Sequence, residues 1–166
     1  MPVSPLHLYK QAYSGLSRDS WFLSAVILIN RSGTMVIPFM TLYCTQQLHF
    51  TIVQAGYIMG LFGLGSISGA FMGGKLTDKY GFYDVQVFAL LAGGILFILL
   101  DFQRSFITLG IFTFILSLCN TAFQPANYTA IAHYSTPQNK TRSYSLNRLA
   151  INLGWAVGSA LGGVLA

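Results

Sequence analysis

GGKLTDKYG, residues 73–81, gathers two of the chain's nine Lys and Arg residues and one of its four Asp into a short stretch bracketed by glycine. The chain around it is apolar: of 166 residues 54% are hydrophobic and 8% charged, and the mean hydropathy is +0.59. Charge this scarce marks a place where the chain meets water. The balance is that of a membrane protein, not of a soluble domain.

Working outward from this stretch, apolar runs of about 20 residues, enough to cross a ~30 Å hydrocarbon core as helix, recur along the chain. They predict an all-α membrane protein with five spans, near 21–43, 51–76, 85–100, 106–132 and 144–166. The third is short by this rule. The connecting stretches CTQQLHF, TDKYGFYD, DFQRS and HYSTPQNKTRS are brief, so consecutive helices are expected to run antiparallel. The first span is too long, and lacks the small-residue cleavage pattern, to be a removable signal peptide.

Basic residues outside the spans set the orientation. Lys10, Arg18, Lys79, Lys140 and Arg142 fall on one side, with Lys75 close by, and Arg104 alone falls on the other. Positive charge marks the cytoplasmic side, so the N-terminus is expected inside. Residues 1–20 form a short cytoplasmic lead, with Leu6, Leu8, Tyr9, Tyr13 and Leu16 weakly amphipathic. Residues 21–166 form the transmembrane bundle. The closing GGVLA has no polar stop or turn, which predicts that the chain breaks off within a longer protein.

The formal charge of +5 would suggest nucleic acid in a soluble domain, but the basic residues lie between apolar runs, and no nucleic-acid partner is expected. His7, His49 and His133 are too scattered for a metal site, and Cys44 and Cys119 have no framework spacing. No cofactor is expected. An acid pair, or a nucleophile with its base, is also lacking, which argues against an enzyme. GLFGLGSISG departs from the nucleotide-loop order and sits inside an apolar run, so it is no phosphate cradle.

Arg31, in LINRSGTMVIPF, lies about 15 Å beyond Trp21 at 1.5 Å per residue, near the expected bilayer midplane. An arginine there costs ~2.5–3.5 kcal/mol on insertion scales and must face water, a partner or a ligand. Substrate recognition in a central cavity, with Asn30 beside it, is one reading. A structural partnership with backbone carbonyls or with polar groups of the fourth span is the other. That span carries Asn120, Gln124, Asn127 and Tyr128 at helical spacing, with Pro125 among them. In the fifth, Arg148 and Asn152 lie one turn apart, and Trp155 continues their face. Arg148 could snorkel to the surface, pair with Asp78 or close an inner gate. The four aspartates all fall at expected surfaces, so no titratable acid for proton coupling lies within a span.

Two glycine series remain. Gly154, Gly158, Gly162 and Gly163 follow G-x-x-x-G-x-x-x-G-G in the fifth span, and Gly65, Gly69 and Gly73 repeat every fourth residue in the second. Such rows allow helices to approach closely, and they predict smooth faces that slide against a partner bundle.

The pattern Gly74, Leu76, Asp78, Lys79, Gly81 resembles the loop signature of the major facilitator superfamily, in the expected position between the second and third spans. Phe82, Tyr83 and Asp84 stand where the family usually has basic residues. The fifth-span glycines are similar to the family's antiporter motif, with Ser159 in place of its proline, and Gln124 stands near where a basic residue is common. The run RSGTMVIPFMTLY, 31–43, is similar to an R-x-x-x-x-x-x-P-F-x-x-L-Y pattern seen in related bacterial carriers.

The resemblance implies most of the N-terminal six-helix bundle of a twelve-helix carrier that works by alternating access. Its expected partners are the lipid bilayer, a small-molecule substrate and the missing C-terminal bundle. It also implies secondary active efflux of drugs or metabolites from a bacterial inner membrane. A sugar or peptide uptake symporter and a non-transporting truncated interaction protein are the alternatives. Under the efflux reading, Asn30, Arg31, Asn120, Gln124, Asn127, Arg148 and Asn152 are candidates for lining the substrate cavity. Gly74, Asp78, Lys79 and Gly81 form a conformational-switch loop, in which Asp78 can latch onto the positive end of a neighbouring helix. A plain solvated turn is the other reading of that loop.

Overall fold

The computed structural model describes residues 14–33 and 36–165. The expected amphipathic positions Leu6, Leu8, Tyr9 and Tyr13, together with Lys10 and His7, lie outside the described residues. Six α-helices are described: α1 (Arg18–Gly33), α2 (Val36–Leu42), α3 (Ile52–Tyr80), α4 (Phe82–Asp101), α5 (Phe106–Tyr134) and α6 (Lys140–Leu165). A π-helical turn, Tyr43–Gln47, follows α2. No strand occurs among the described residues.

α3, α4 and α5 are long and apolar enough to cross a membrane, which accounts for the second, third and fourth expected spans. The described extent of α1 is 16 residues, below the length of a span, and α6 has 26 residues but carries Lys140, Arg142 and Arg148 in its first half.

The helix boundaries follow from local chemistry. Thr51 begins α3 with a reciprocal cap: its hydroxyl accepts from the Gln54 amide at 3.2 Å, and the Gln54 side chain accepts from the Thr51 amide at 2.9 Å. The helix then runs through GGKLTDKY and stops only at Gly81, whose φ of 88° suits glycine. The expected loop at 77–84 is therefore corrected to a single-residue junction. Gly74, Asp78 and Lys79 are helical, and Gly81 alone makes the break.

α4 starts at Phe82, so the span that looked short has 20 residues, and Asp84 sits in its first turn, where the helix end favours a carboxylate. α6 likewise starts at Lys140, because the Asn139 side chain accepts from the Thr136 amide at 2.8 Å and organises the preceding turn. Pro125 lies within α5, which continues through it, and the Thr129 hydroxyl donates to the Pro125 carbonyl at 3.0 Å.

The chain divides into two compact units, residues 1–35 with 130–165, and residues 36–129. In the first, α1 packs along α6. A Cβ on Gly154 would meet the Arg31 Cβ at 2.6 Å and the Leu28 carbonyl oxygen at 2.8 Å, and one on Gly158 would meet the Ser32 carbonyl oxygen at 2.6 Å. Contacts advance together along both helices, so α1 and α6 run in the same direction. Their seam also holds Ser20 and Ser143, whose hydroxyls lie 3.4 Å apart, both buried.

In the second unit α3 lies against α5 in the same manner. Cβ atoms on Gly65, Gly69 and Gly73 would strike the backbones of Phe114, Leu118 and Ala122 in turn, and these helices too run the same way. The Ser117 hydroxyl donates across the crossing to the Phe62 carbonyl at 2.6 Å, and the Ser66 and Thr121 hydroxyls lie 3.1 Å apart. Small residues with hydroxyls between them let dispersion and hydrogen bonding hold helices where lipid offers no hydrophobic drive.

The expectation that these glycine faces slide against another bundle is thereby corrected. Gly65, Gly69, Gly73, Gly154 and Gly158 are occupied by neighbouring helices within their own units. An apolar core of Met40, Cys44, Ala55, Ile58, Leu100, Leu109 and Leu116 completes the second unit, with Phe50 and Phe106 edge to face beside it.

Candidate functional site

In the first unit, the last turn of α1 presents Asn30, half-buried, and Arg31, which is only 8% exposed. Arg31 is held there by the bare backbone of α6 at Gly154: with no side chain on that glycine, α6 approaches closely enough to touch the Arg31 stem. The stem is packed apolar surface, as is usual for arginine, so its position is set by helix packing as well as by charge.

Arg148 and Asn152 lie on a different side of α6. Both are exposed, as is Trp155, and the series continues to Ser159. These two candidates therefore do not belong to the α1–α6 seam. The polar residue that does is Asn147, 1% exposed, together with Ser143, Ser20 and Ser24. Sequence reasoning passed over Asn147, although a signal was available: Ser143, Asn147, Ala150, Gly154 and Gly158 recur at steps of four or three and trace the buried stripe of an amphipathic helix.

In the second unit, Asn120, Gln124 and Asn127 fall on successive turns of α5. Asn127 is buried at 2% exposure, and the other two are half-buried. Tyr128, beside them, is 45% exposed. Three amides of this kind offer donors and acceptors without fixed charge, which suits a polar organic ligand or ordered water in an apolar helix.

Asp78 and Lys79 are exposed on the last turns of α3. The Lys79 ammonium lies 5.0 Å from the centre of the Tyr80 ring, and that of Lys75 lies 4.4 Å from the Phe71 ring, so both stay close to aromatic faces. Asp78 stands near the negative end of its own helix, where a carboxylate is disfavoured, and it would gain from the positive end of another. A Cβ on Gly74, one turn earlier, would meet nothing within 4 Å. Among the packing-motif glycines, Gly154 and Gly158 make the contacts described above, Gly162 is buried, and a Cβ on Gly163 would lie in open space.

No grouping of His, Cys and Asp suited to a metal occurs among the described residues.

Comparison with known proteins adds the family. The Major Facilitator Superfamily matches residues 21–166. The chain is 24% identical over 147 residues to the "Multi-drug resistance efflux pump PmrA homolog" of Lactococcus lactis subsp. lactis (strain IL1403), covering 87% of the chain and 36% of that protein. It is 27% identical over 147 residues to "Multidrug resistance protein MdtG" of Klebsiella pneumoniae (strain 342), covering 86% of the chain and 35% of the relative. Against the protein of the same name from Escherichia coli O1:K1 / APEC, identity is 26% over 151 residues, covering 89% and 36%. The chain thus spans about a third of the length of these relatives. No solved structure matches it significantly.

Proposed function

The chain belongs to the Major Facilitator Superfamily, and we propose that it supplies the first helical bundle of a carrier that exports small organic molecules by alternating access. It is a transporter-family, multi-pass, all-α membrane protein, not an enzyme. Residues 21–166 are the bundle and residues 1–20 a cytoplasmic lead, with the protein in a bacterial inner membrane and a second bundle completing it. Efflux is favoured over uptake because the relatives described above are named for multidrug resistance.

The observation that carries the reading is the burial of Arg31 against Gly154, at the seam of two helices in a chain with so little charge. In this mechanism Asn30 and Arg31 on α1 contribute polar groups to substrate recognition, and Asn120, Gln124 and Asn127 on α5 offer polar groups within their own unit. Arg148 and Asn152 on the exposed side of α6 face a water-filled entrance. Asp78, at the end of α3, latches onto a helix N-terminus of the second bundle in one of the two conformations. Gly74 leaves room for that approach, and Lys79 stays at the headgroup level.

The test is dye accumulation in cells lacking their major efflux pumps. Expression of the full-length gene product lowers intracellular ethidium under this reading, and Arg31→Ala restores it while Arg31→Lys restores it only in part. Equal accumulation with and without the full-length protein overturns export of that substrate class. Wild-type activity in Arg31→Ala removes Arg31 from the path.

A further inference from the structure

The C-terminal end of α4, the helix α2 and the first residue of the π-helical turn border a pocket of about 240 Å³ lined by Phe39, Met40, Tyr43, Phe97, Leu100 and Asp101, all within residues 36–129. Its wall is aliphatic and aromatic, and its polar groups, the Asp101 carboxylate and the Tyr43 hydroxyl, stand at helix ends. Ile98 on α4 and Phe102 just beyond its end are exposed nearby, as expected of a surface that meets lipid.

The rim is electrostatically unbalanced. Asp101 is the last residue of α4, and no basic residue stands in that last turn. Its negative charge therefore adds to the negative helix end. Arg104 follows closely, yet its guanidinium donates to the Tyr43 hydroxyl, leaving Asp101 without an ion-pair partner among the described residues. Tyr43 opens the π turn, in which the Leu48 amide reaches back to the Tyr43 carbonyl at 3.2 Å, and such turns recur at functional sites. A hydroxyl that accepts from arginine keeps its own proton to donate. Arg104 and Tyr43 together therefore present donors for an anion, and Asp101 presents an acceptor for a cation.

We propose that this pocket binds a zwitterionic phospholipid whose headgroup ends in an ammonium. Asp101 takes the ammonium, Arg104 and Tyr43 hold the phosphate, and Phe39, Met40, Phe97 and Leu100 receive the adjoining stretch of acyl chain. The volume falls below the ~300–1,000 Å³ of sites that enclose a whole drug-sized molecule, which suits part of a chain with its head left at the surface. This site depends on the membrane embedding of the chain and not on the direction or substrate of transport.

The test uses the whole chain purified in detergent and supplied with phosphatidylethanolamine and phosphatidylglycerol in equal amounts, with native mass spectrometry counting retained lipid. Both lipids carry the phosphate, and only the first carries the ammonium. The wild-type chain is expected to retain phosphatidylethanolamine in excess, and Asp101→Asn to cut that excess by roughly two- to fivefold, the size of one partly exposed ion pair. Arg104→Ala lowers retention of both lipids, and Asp84→Asn, at the other end of α4, changes neither.

Equal retention of the two lipids by the wild-type chain overturns the proposal, and that measurement needs no variant to fold. So does an excess that survives in an Asp101→Asn protein of unchanged helicity. Retention of neither phospholipid by the wild-type chain also overturns it.

Discussion

Gly154 of α6 lies so close to Arg31 of α1 that a single added Cβ would come within 2.6 Å of the Arg31 Cβ. The glycine that sequence places in a packing motif is also the residue that fixes where the arginine stands. Packing and charge placement in the first unit are therefore one structural decision.

Gly154→Ala is expected to destabilise the chain, because the backbone it would strike cannot yield as a flexible side chain can. Overpacking of this kind costs ~1–3 kcal/mol. Thermal unfolding in detergent, followed by loss of helicity, checks it against Gly163→Ala, where a Cβ meets nothing within 4 Å and little change is expected.

Gly81→Ala is expected to cost ~1–2 kcal/mol, since it forces a Cβ into the positive φ of 88° that joins α3 to α4. Gly81→Asn should cost about as much, because at ψ 160° the position lies outside the left-handed helical region that asparagine enters. Comparing the two melting curves distinguishes backbone strain from loss of space, for no atom lies within 4 Å of a Cβ at this position.

Thr51→Ala removes the hydroxyl half of the cap at the start of α3 and is expected to cost ~1 kcal/mol. Thr51→Ser should stay near the wild-type value. Hydrogen exchange at the first amides of α3 provides the readout, with faster exchange in the alanine variant alone.

Cys44 is fully buried and Cys119 is 8% exposed. Maleimide is expected to leave both unlabelled in the folded chain and to label both after denaturation. On that quiet background, cysteines introduced at Lys79 and Lys140 should react from the cytoplasmic side, and reaction from the opposite side would invert the orientation argued from the basic residues.

Much of the architecture was legible because apolar runs of span length are a strong signal, and α3, α4 and α5 follow them closely. The ends were harder to read. Asp78 and Lys79 suggested a loop because charge was equated with irregular structure, whereas a helix that emerges from a membrane can carry charge on its last turns and end wherever glycine permits. Lys140 and Arg142 were misassigned to a loop for the same reason.

The glycine rows pointed to smooth faces but not to their partners, since a smooth face is complementary to any helix backbone. Only the fold shows that Gly69 meets Leu118 and Gly158 meets Ser32. Arg148 attracted attention by its charge and lies exposed, while Asn147, a less conspicuous neighbour, occupies the seam.

The one-residue junction at Gly81 has a mechanical consequence. Because Lys75, Asp78 and Lys79 ride on the rigid end of α3 and not on a slack connector, a small tilt of that long rod sweeps its charged tip through an arc magnified by its length, and α4, tethered at the tip, is pulled along with it.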